Sequence, residues 1–338
     1  MSAAVATGRV AGTLAGLLRS RDVGIGAVVV LVAAAFGLAQ PNFFRPDNLF
    51  AIVVSIGILV VMAVGQMFVI VTRQIDLSIG STLGLAAMVM AMVGRDLPGT
   101  PLPVLVLVAV LVGAACGAVN GTLVTLAGVP PIIATLGTLA IFRGLVFLVS
   151  DNRQVNPSEV PDSVGGLVGT HSIPVPPLLL IAAAVVAAGW YVAARSMPGL
   201  RVYAVGSNPE AAAARGLRPK TTSFMVFVAM GCLAGLAGVL YVARYGTVNP
   251  ADVGLGWELT VISAVVIGGT NIFGGSGTVS GVVLGCLLVG VLSNGLTVIG
   301  VSGFWQQAAE GPIILVAVIV DTFVRRRAQN SQSTRKRA

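Results

Sequence analysis

Val69-Ile70-Val71-Thr72-Arg73-Gln74-Ile75-Asp76-Leu77-Ser78-Ile79-Gly80-Ser81 joins two apolar runs, residues 49–72 and 77–94, with almost no room for a loop between them. About 17–25 apolar residues cross a bilayer as a helix, so each flank reads as a membrane span. The two charges in the join then demand a sharp turn or a break in the backbone. Non-helical backbone at membrane depth survives only where protein buries it or where it lines a wet cavity. Gly268-Gly269-Thr270-Asn271-Ile272-Phe273-Gly274-Gly275-Ser276-Gly277 is a second break of the same kind after a later apolar run.

Composition extends this reading to the whole chain. Apolar residues make up 56% and charged residues 9% of 338, against about a quarter charged in a soluble domain. An all-α polytopic membrane protein is expected, and the 43 glycines suit helices that approach closely in lipid. Ten spans are expected near 23–40, 49–72, 77–94, 102–127, 131–150, 178–194, 223–243, 257–271, 278–299 and 305–324. The two breaks occupy comparable places, which suggests two pseudo-repeated halves, spans two to five against seven to ten.

An even number of spans puts both termini on one side, and the positive-inside rule makes that side the cytoplasm. Arg9, Arg19 and Arg21 precede the first span, and Arg325, Arg326, Arg327, Arg335, Lys336 and Arg337 follow the last. The expected organisation is a cytoplasmic segment 1–22, a transmembrane domain 23–324 with a cytoplasmic loop 195–222, and a basic tail 325–338. That loop carries Arg195, Arg201, Arg215, Arg218 and Lys220; the loop with Asp151, Glu159, Asp162 and His171 faces outward, either as a short ordered cap or as a disordered loop. The net charge of +8 sits where topology needs it, so anionic lipid headgroups rather than nucleic acid are its expected partner. The first 20 residues are not a cleaved signal, because the apolar run after Arg21 lacks a typical cleavage site. Trp257 and Trp305 mark outer interfaces and Trp190-Tyr191 an inner one, as belt residues.

Several function classes drop out. There is no G-x-x-x-x-G-K-[ST] loop, since Lys220 follows Pro219, so the chain does not hold ATP in the Walker manner. Cys116, Cys232 and Cys286 lie in apolar stretches without paired spacing, and there is one histidine; neither disulfide nor metal is expected. No nucleophile or acid–base pair stands out for an enzyme. Transport is left. Arg143, two-thirds of the way along the fifth span, either bonds a hydroxylated solute or a partner span, or snorkels to the outer interface or pairs with a neighbouring acid. Glu258 and Glu310 begin the eighth and tenth spans as interfacial acids. Asn120, Asn271 and Asn294 line a path or bond neighbouring helices.

Ser207-Asn208-Pro209-Glu210-Ala211-Ala212-Ala213-Ala214-Arg215-Gly216 is a polar helix-forming stretch in the most basic loop. Ser207 and Glu210 stand in capping-box spacing, Pro209 suits the first turn and Gly216 can stop the helix. Such a helix reads as a rigid cytoplasmic contact for a partner protein.

From the second span to the last, the chain resembles permease subunits of the ribose-type branch of bacterial ABC sugar importers. The resemblance rests on residues 72–81; on residues 129–138 with Arg143-Gly144; on residues 203–212; and on residues 268–281 followed by Ser293-Asn294-Gly295-Leu296. It implies a homodimer or heterodimer of permeases of about ten spans each. Their partners would be an ABC ATPase with tandem nucleotide-binding domains, which holds ATP and Mg, and an extracytoplasmic sugar-binding protein. No cofactor is then bound by this chain.

By that resemblance Ser207, Asn208, Pro209, Glu210, Ala211, Ala212, Arg215 and Gly216 form the coupling helix. The translocation path is expected among Asp76, Ser78, Thr135, Thr138, Arg143, Asn271 and Asn294. Many relatives have Gly-Gly where this chain has Arg73-Gln74. The Thr-Arg-x-Ile-Asp pattern is similar to members assigned to rhamnose and to the furanosyl signal autoinducer 2, which points away from ribose. A branched-chain amino-acid ABC permease, an ion-coupled secondary carrier and a membrane scaffold are the alternatives. Asn208-Pro209-Glu210 and Ile75-Asp76-Leu77-Ser78 favour the sugar branch.

Overall fold

The computed structural model describes residues 21–169, 175–303 and 305, 306, 308, 311 and 312. The helices are α1 (Arg21–Ala39), α2 (Pro46–Val71), α3 (Ile79–Asp96), α4 (Leu102–Thr125), α5 (Pro131–Ser150), α6 (Asp162–Gly165), α7 (Pro177–Arg195), α8 (Met197–Ser207), α9 (Pro209–Ala214), α10 (Pro219–Tyr245), α11 (Trp257–Ile267) and α12 (Val279–Val298). Among the described residues there is no strand beyond an isolated bridge of Val155 with Val248.

Seven of these helices, α1, α2, α4, α5, α7, α10 and α12, are long and apolar enough to cross a membrane. This is the expected all-α polytopic membrane fold. Helix α3 has 18 residues and is buried along most of its length. The expected span at 257–271 needs correction. Helix α11 has only 11 residues, about 17 Å of helix, because Gly268 caps it and Gly269 turns at φ +98°. The expected span 305–324 lies largely outside the described residues. So do Arg9, Arg19, His171, Glu310, the tail 325–338 and nearly all of segment 1–22.

Helix α2 is the central post. It is enclosed over 83% of its most apolar window, α10 over 61% and α1 over none. A helix apolar on every face belongs in the interior of a bundle. Helix α10 packs most extensively on α4, where Gly113 faces Gly231 across the contact. A Cβ on either glycine would collide with the facing backbone. Small residues at such crossings let two helices gain dispersion contacts that lipid cannot supply.

The loop 195–222 is ordered into two helices, one more than the sequence suggested. Ser196 caps α8 by accepting from Gly199 N at 3.1 Å, with Pro198 in the first turn. Between α5 and α7, the described part of the loop forms α6 flanked by two single 3-10 turns, Pro157–Glu159 and Gly166–Val168. Asn156 N–H donates to Glu159 Oε2 at 2.7 Å and holds that carboxyl below its ordinary pKa.

Candidate functional site

At one end of the bundle the two breaks meet. Gly275 N–H donates to the Val71 carbonyl at 2.9 Å, so the second break supplies a donor to the carbonyl end of α2. Arg73 sits at φ +65°, a left-handed conformation that costs a side-chain-bearing residue roughly 1–2 kcal/mol. Its guanidinium reaches the carbonyl end of α8, with Nε donating to Gly206 O at 2.6 Å and a terminal nitrogen to Ser207 O at 2.6 Å. A cation there satisfies orphan carbonyls and matches the helix dipole. Tyr203 Oη donates to Gly277 O at 2.8 Å, tying α8 to the second break as well.

Helix α9 follows immediately. Its N-cap is Asn208, whose side chain accepts from Ala211 N at 2.9 Å. Ser207 is the last residue of α8, so the expected Ser207 cap and capping box are corrected. The serine carbonyl is engaged by Arg73, and the chain first turns extended at Asn208. Pro209 opens the helix and Gly216, at φ +82°, follows its end. Ala212 is the buried residue of α9; Asn208, Glu210, Ala211, Arg215 and Gly216 are exposed. The result is a short fixed helix with a small-residue outer face.

Beyond Arg73, the first break is braced by a buried polar knot. Asp76 Oδ1 accepts from Ser78 N at 2.8 Å and Ser78 Oγ at 2.7 Å. Asn120 Nδ2 donates to Ser78 Oγ at 2.7 Å, and Thr138 Oγ1 donates to Asn120 Oδ1 at 2.6 Å. Gln66 Nε2 donates to Asp76 O and Thr135 Oγ1 to Ile75 O, both at 3.2 Å. Side chains from α2, α4 and α5 thus satisfy backbone groups that hydrocarbon could not. Asp76, Ser78, Thr135 and Thr138 are fully buried in this knot rather than on an open wall.

The other expected path residues are also placed. Arg143 donates to Val253 O at 2.6 Å. Asn271 closes its own loop, donating to Gly274 O and accepting from Phe273 N. Asn294 exchanges amide hydrogen bonds with Asn48 at 2.9 and 3.0 Å, pinning α12 to α2.

At the opposite end of the bundle from α9, a cavity of about 490 Å³ opens between α2, α11, α12 and the end of α10. Ser55, Arg244, Tyr245, Trp257, Ser293 and Asn294 are among its walls. Of these, sequence reasoning named only Asn294 as a path residue; Trp257 was read as a belt residue and Ser293 as part of a motif, and Ser55, Arg244 and Tyr245 were missed. Arg244, a cation just past an apolar run, was the available signal. A separate groove of about 670 Å³ between α2, α7, α8 and α10 is mainly apolar, lined by Val64, Phe68, Val192 and Met225.

A family model described as branched-chain amino acid transport system / permease component matches residues 48–320. The chain belongs to this family. This permease is 38% identical over 298 residues to the ribose import permease protein of Escherichia coli K12, covering 87% of this chain and 91% of the relative. It is 35% identical over 301 residues to the D-allose transport system permease protein of the same strain, covering 88% and 90%. The autoinducer 2 import system permease protein of Photorhabdus luminescens is 31% identical over 296 residues, covering 87% and 88%. No solved structure matches. The family and these relatives bear out the resemblance to ribose-type ABC importer permeases.

Proposed function

We propose that this permease is the membrane subunit of an ATP-driven importer that moves a monosaccharide across the inner membrane. The observation that carries the reading is the short α9 helix, exposed on its small-residue face and fixed through Arg73 to the break between α2 and α3. A separate ATPase with tandem nucleotide-binding domains docks on α9, and ATP and Mg stay on that partner. Closure of the ATPase pushes α9; the Arg73 contacts pass the displacement to the break, and the spans rotate between two arrangements. Both termini lie on the α9 side, which is cytoplasmic. A soluble extracytoplasmic binding protein delivers the solute at the other face, and a second permease copy, identical or related, completes the membrane unit. Anionic lipids hold the basic tail.

The relatives named for ribose, D-allose and autoinducer 2 support a sugar or furanosyl solute over a branched-chain amino acid. The Thr72-Arg73-Gln74-Ile75-Asp76 pattern tilts the choice toward a rhamnose-like deoxy-sugar or a related furanosyl solute. The test is extraction from native membranes in mild detergent with mass spectrometry of the co-purifying proteins. A tandem-domain ATPase is expected. A chain that emerges alone and moves solute in liposomes under an ion gradient overturns the reading.

A further inference from the structure

The cavity between α2, α10, α11 and α12 has a chemistry of its own. Arg244 is the penultimate residue of α10, 25 positions after Pro219 and hence about 37 Å along the helix from the α9 end. Ser55 lies 16 residues before the Arg73 break begins at Val71, about 24 Å away. The cavity therefore opens at the face away from α9.

Its polar walls exclude hydrocarbon as the occupant. A guanidinium, an amide and hydroxyls facing lipid would each lose several kcal/mol of hydration. The Arg244 Nε is buried without a hydrogen-bond partner, and the guanidinium lies 6.0 Å from the Tyr245 ring centre. Among the described residues no carboxylate forms an ion pair with it. An unpaired buried donor on a side chain that lines a cavity calls for an acceptor.

The remaining walls say which acceptor. Trp257 is held edge-on against Tyr241 at 5.8 Å between ring centres, so its indole is fixed beside the cavity. An indole face takes the C–H face of a pyranose or furanose ring, and a guanidinium fork matches two adjacent hydroxyl oxygens. Asn294, oriented by Asn48, retains one donor and one acceptor for a further hydroxyl. The positive charge disfavours a cationic solute. Apolar lining from Ile52, Ile56 and Leu59 completes a mixed pocket within the ordinary size range of about 300–1,000 Å³ for small-ligand sites.

We propose that this cavity is a binding site for a neutral monosaccharide, with Arg244 donating to a vicinal hydroxyl pair and Trp257 lying against the ring. The proposal rests on the importer reading and names where its solute first touches the membrane subunit. Binding here is weak and reversible, because a solute held tightly would not leave.

The test uses the whole importer in right-side-out vesicles, carrying Cys232→Ser and the reporter Ala51→Cys in the cavity wall; Cys116 and Cys286 are buried. A membrane-impermeant thiosulfonate is added outside, alone or with D-ribose, D-allose, L-rhamnose, D-gluconate or L-leucine. The reporter is expected to react, and at least one neutral sugar to slow the reaction severalfold. Arg244→Gln should react as fast without sugar yet lose the slowing, and Arg244→Lys should recover part of it. An unreactive reporter, protection by gluconate or leucine alone, no protection by any compound, or full protection in Arg244→Gln overturns the proposal. Co-purification of the ATPase is scored on the same vesicles. An ATPase present with no protected reporter sinks the site and spares the importer; protection without an ATPase does the reverse.

Discussion

The guanidinium of Arg73 donates to the carbonyl of Ser207 at 2.6 Å, linking residues 134 positions apart at the junction of α8 and α9. It does so from a left-handed backbone conformation in which glycine would be at ease. The strain is offset by two charge-assisted hydrogen bonds, each contributing roughly 1.5–3 kcal/mol.

Loss of that link should uncouple rather than unfold. In Arg73→Gln both bonds go while the break keeps its Asp76 brace. Solute moved per ATP hydrolysed by the reconstituted complex is expected to fall by about tenfold, the equivalent of roughly 1.4 kcal/mol, while hydrolysis continues. Arg73→Gly relieves the backbone strain and should melt no lower than Arg73→Gln, yet couple as poorly. An unchanged transport-to-hydrolysis ratio in both variants removes Arg73 from the linkage.

The cap of α9 belongs to Asn208. Asn208→Ala should weaken the first turn by about 1 kcal/mol, seen as faster hydrogen exchange of the Ala211 amide. Ser207→Ala should leave that exchange unchanged, since the Ser207 group bonded by Arg73 is its carbonyl. The reverse ranking restores the serine cap.

Asn120 joins α4 to both the break and α5 through Ser78 and Thr138. Asn120→Leu strands buried partners and should destabilise the detergent-solubilised permease by about 1–3 kcal/mol. Thr138→Val, which removes the single hydroxyl that donates to Asn120, should do less. Thermal melting followed by intrinsic fluorescence decides; equal, negligible shifts would show the knot to be dispensable.

Close approach of α4 and α10 sets a steric limit at Gly231. Gly231→Ala places a Cβ against the Gly113 carbonyl and is expected to lower stability by about 1–3 kcal/mol. Gly24→Ala in α1, where nothing lies within 4 Å, should fall within about 0.5 kcal/mol of the parent. Melting temperatures of the pair check this.

Local signals were legible in the sequence and long-range ones were not. The ends of α4 and α5 fall within two residues of the spans read from apolar runs, because hydropathy and proline starts act locally. Span 257–271 was read too long, since apolarity alone does not show where the Gly268–Gly269 turn stops the helix. Helix α8 was missed because Met197-Pro198-Gly199 reads as a loop until Ser196 is seen to cap it. The two breaks were found as sequence anomalies, but their contact through Gly275 and Val71 was not, nor was the meeting of Asp76, Asn120 and Thr138. Such meetings depend on how spans pack. The cavity around Arg244 went unread for the same reason, its walls coming from four separate helices.

The central claim is that α9 is the face through which ATP hydrolysis reaches the membrane helices. A photo-reactive benzoylphenylalanine at Ala211, with a control at Thr297 in the far cavity, tests it in the assembled importer. The account predicts an ATPase adduct from position 211 whose yield changes on ATP addition, and none from position 297. ATP-dependent uptake with no adduct at 211, or an equal adduct at both positions, would contradict it.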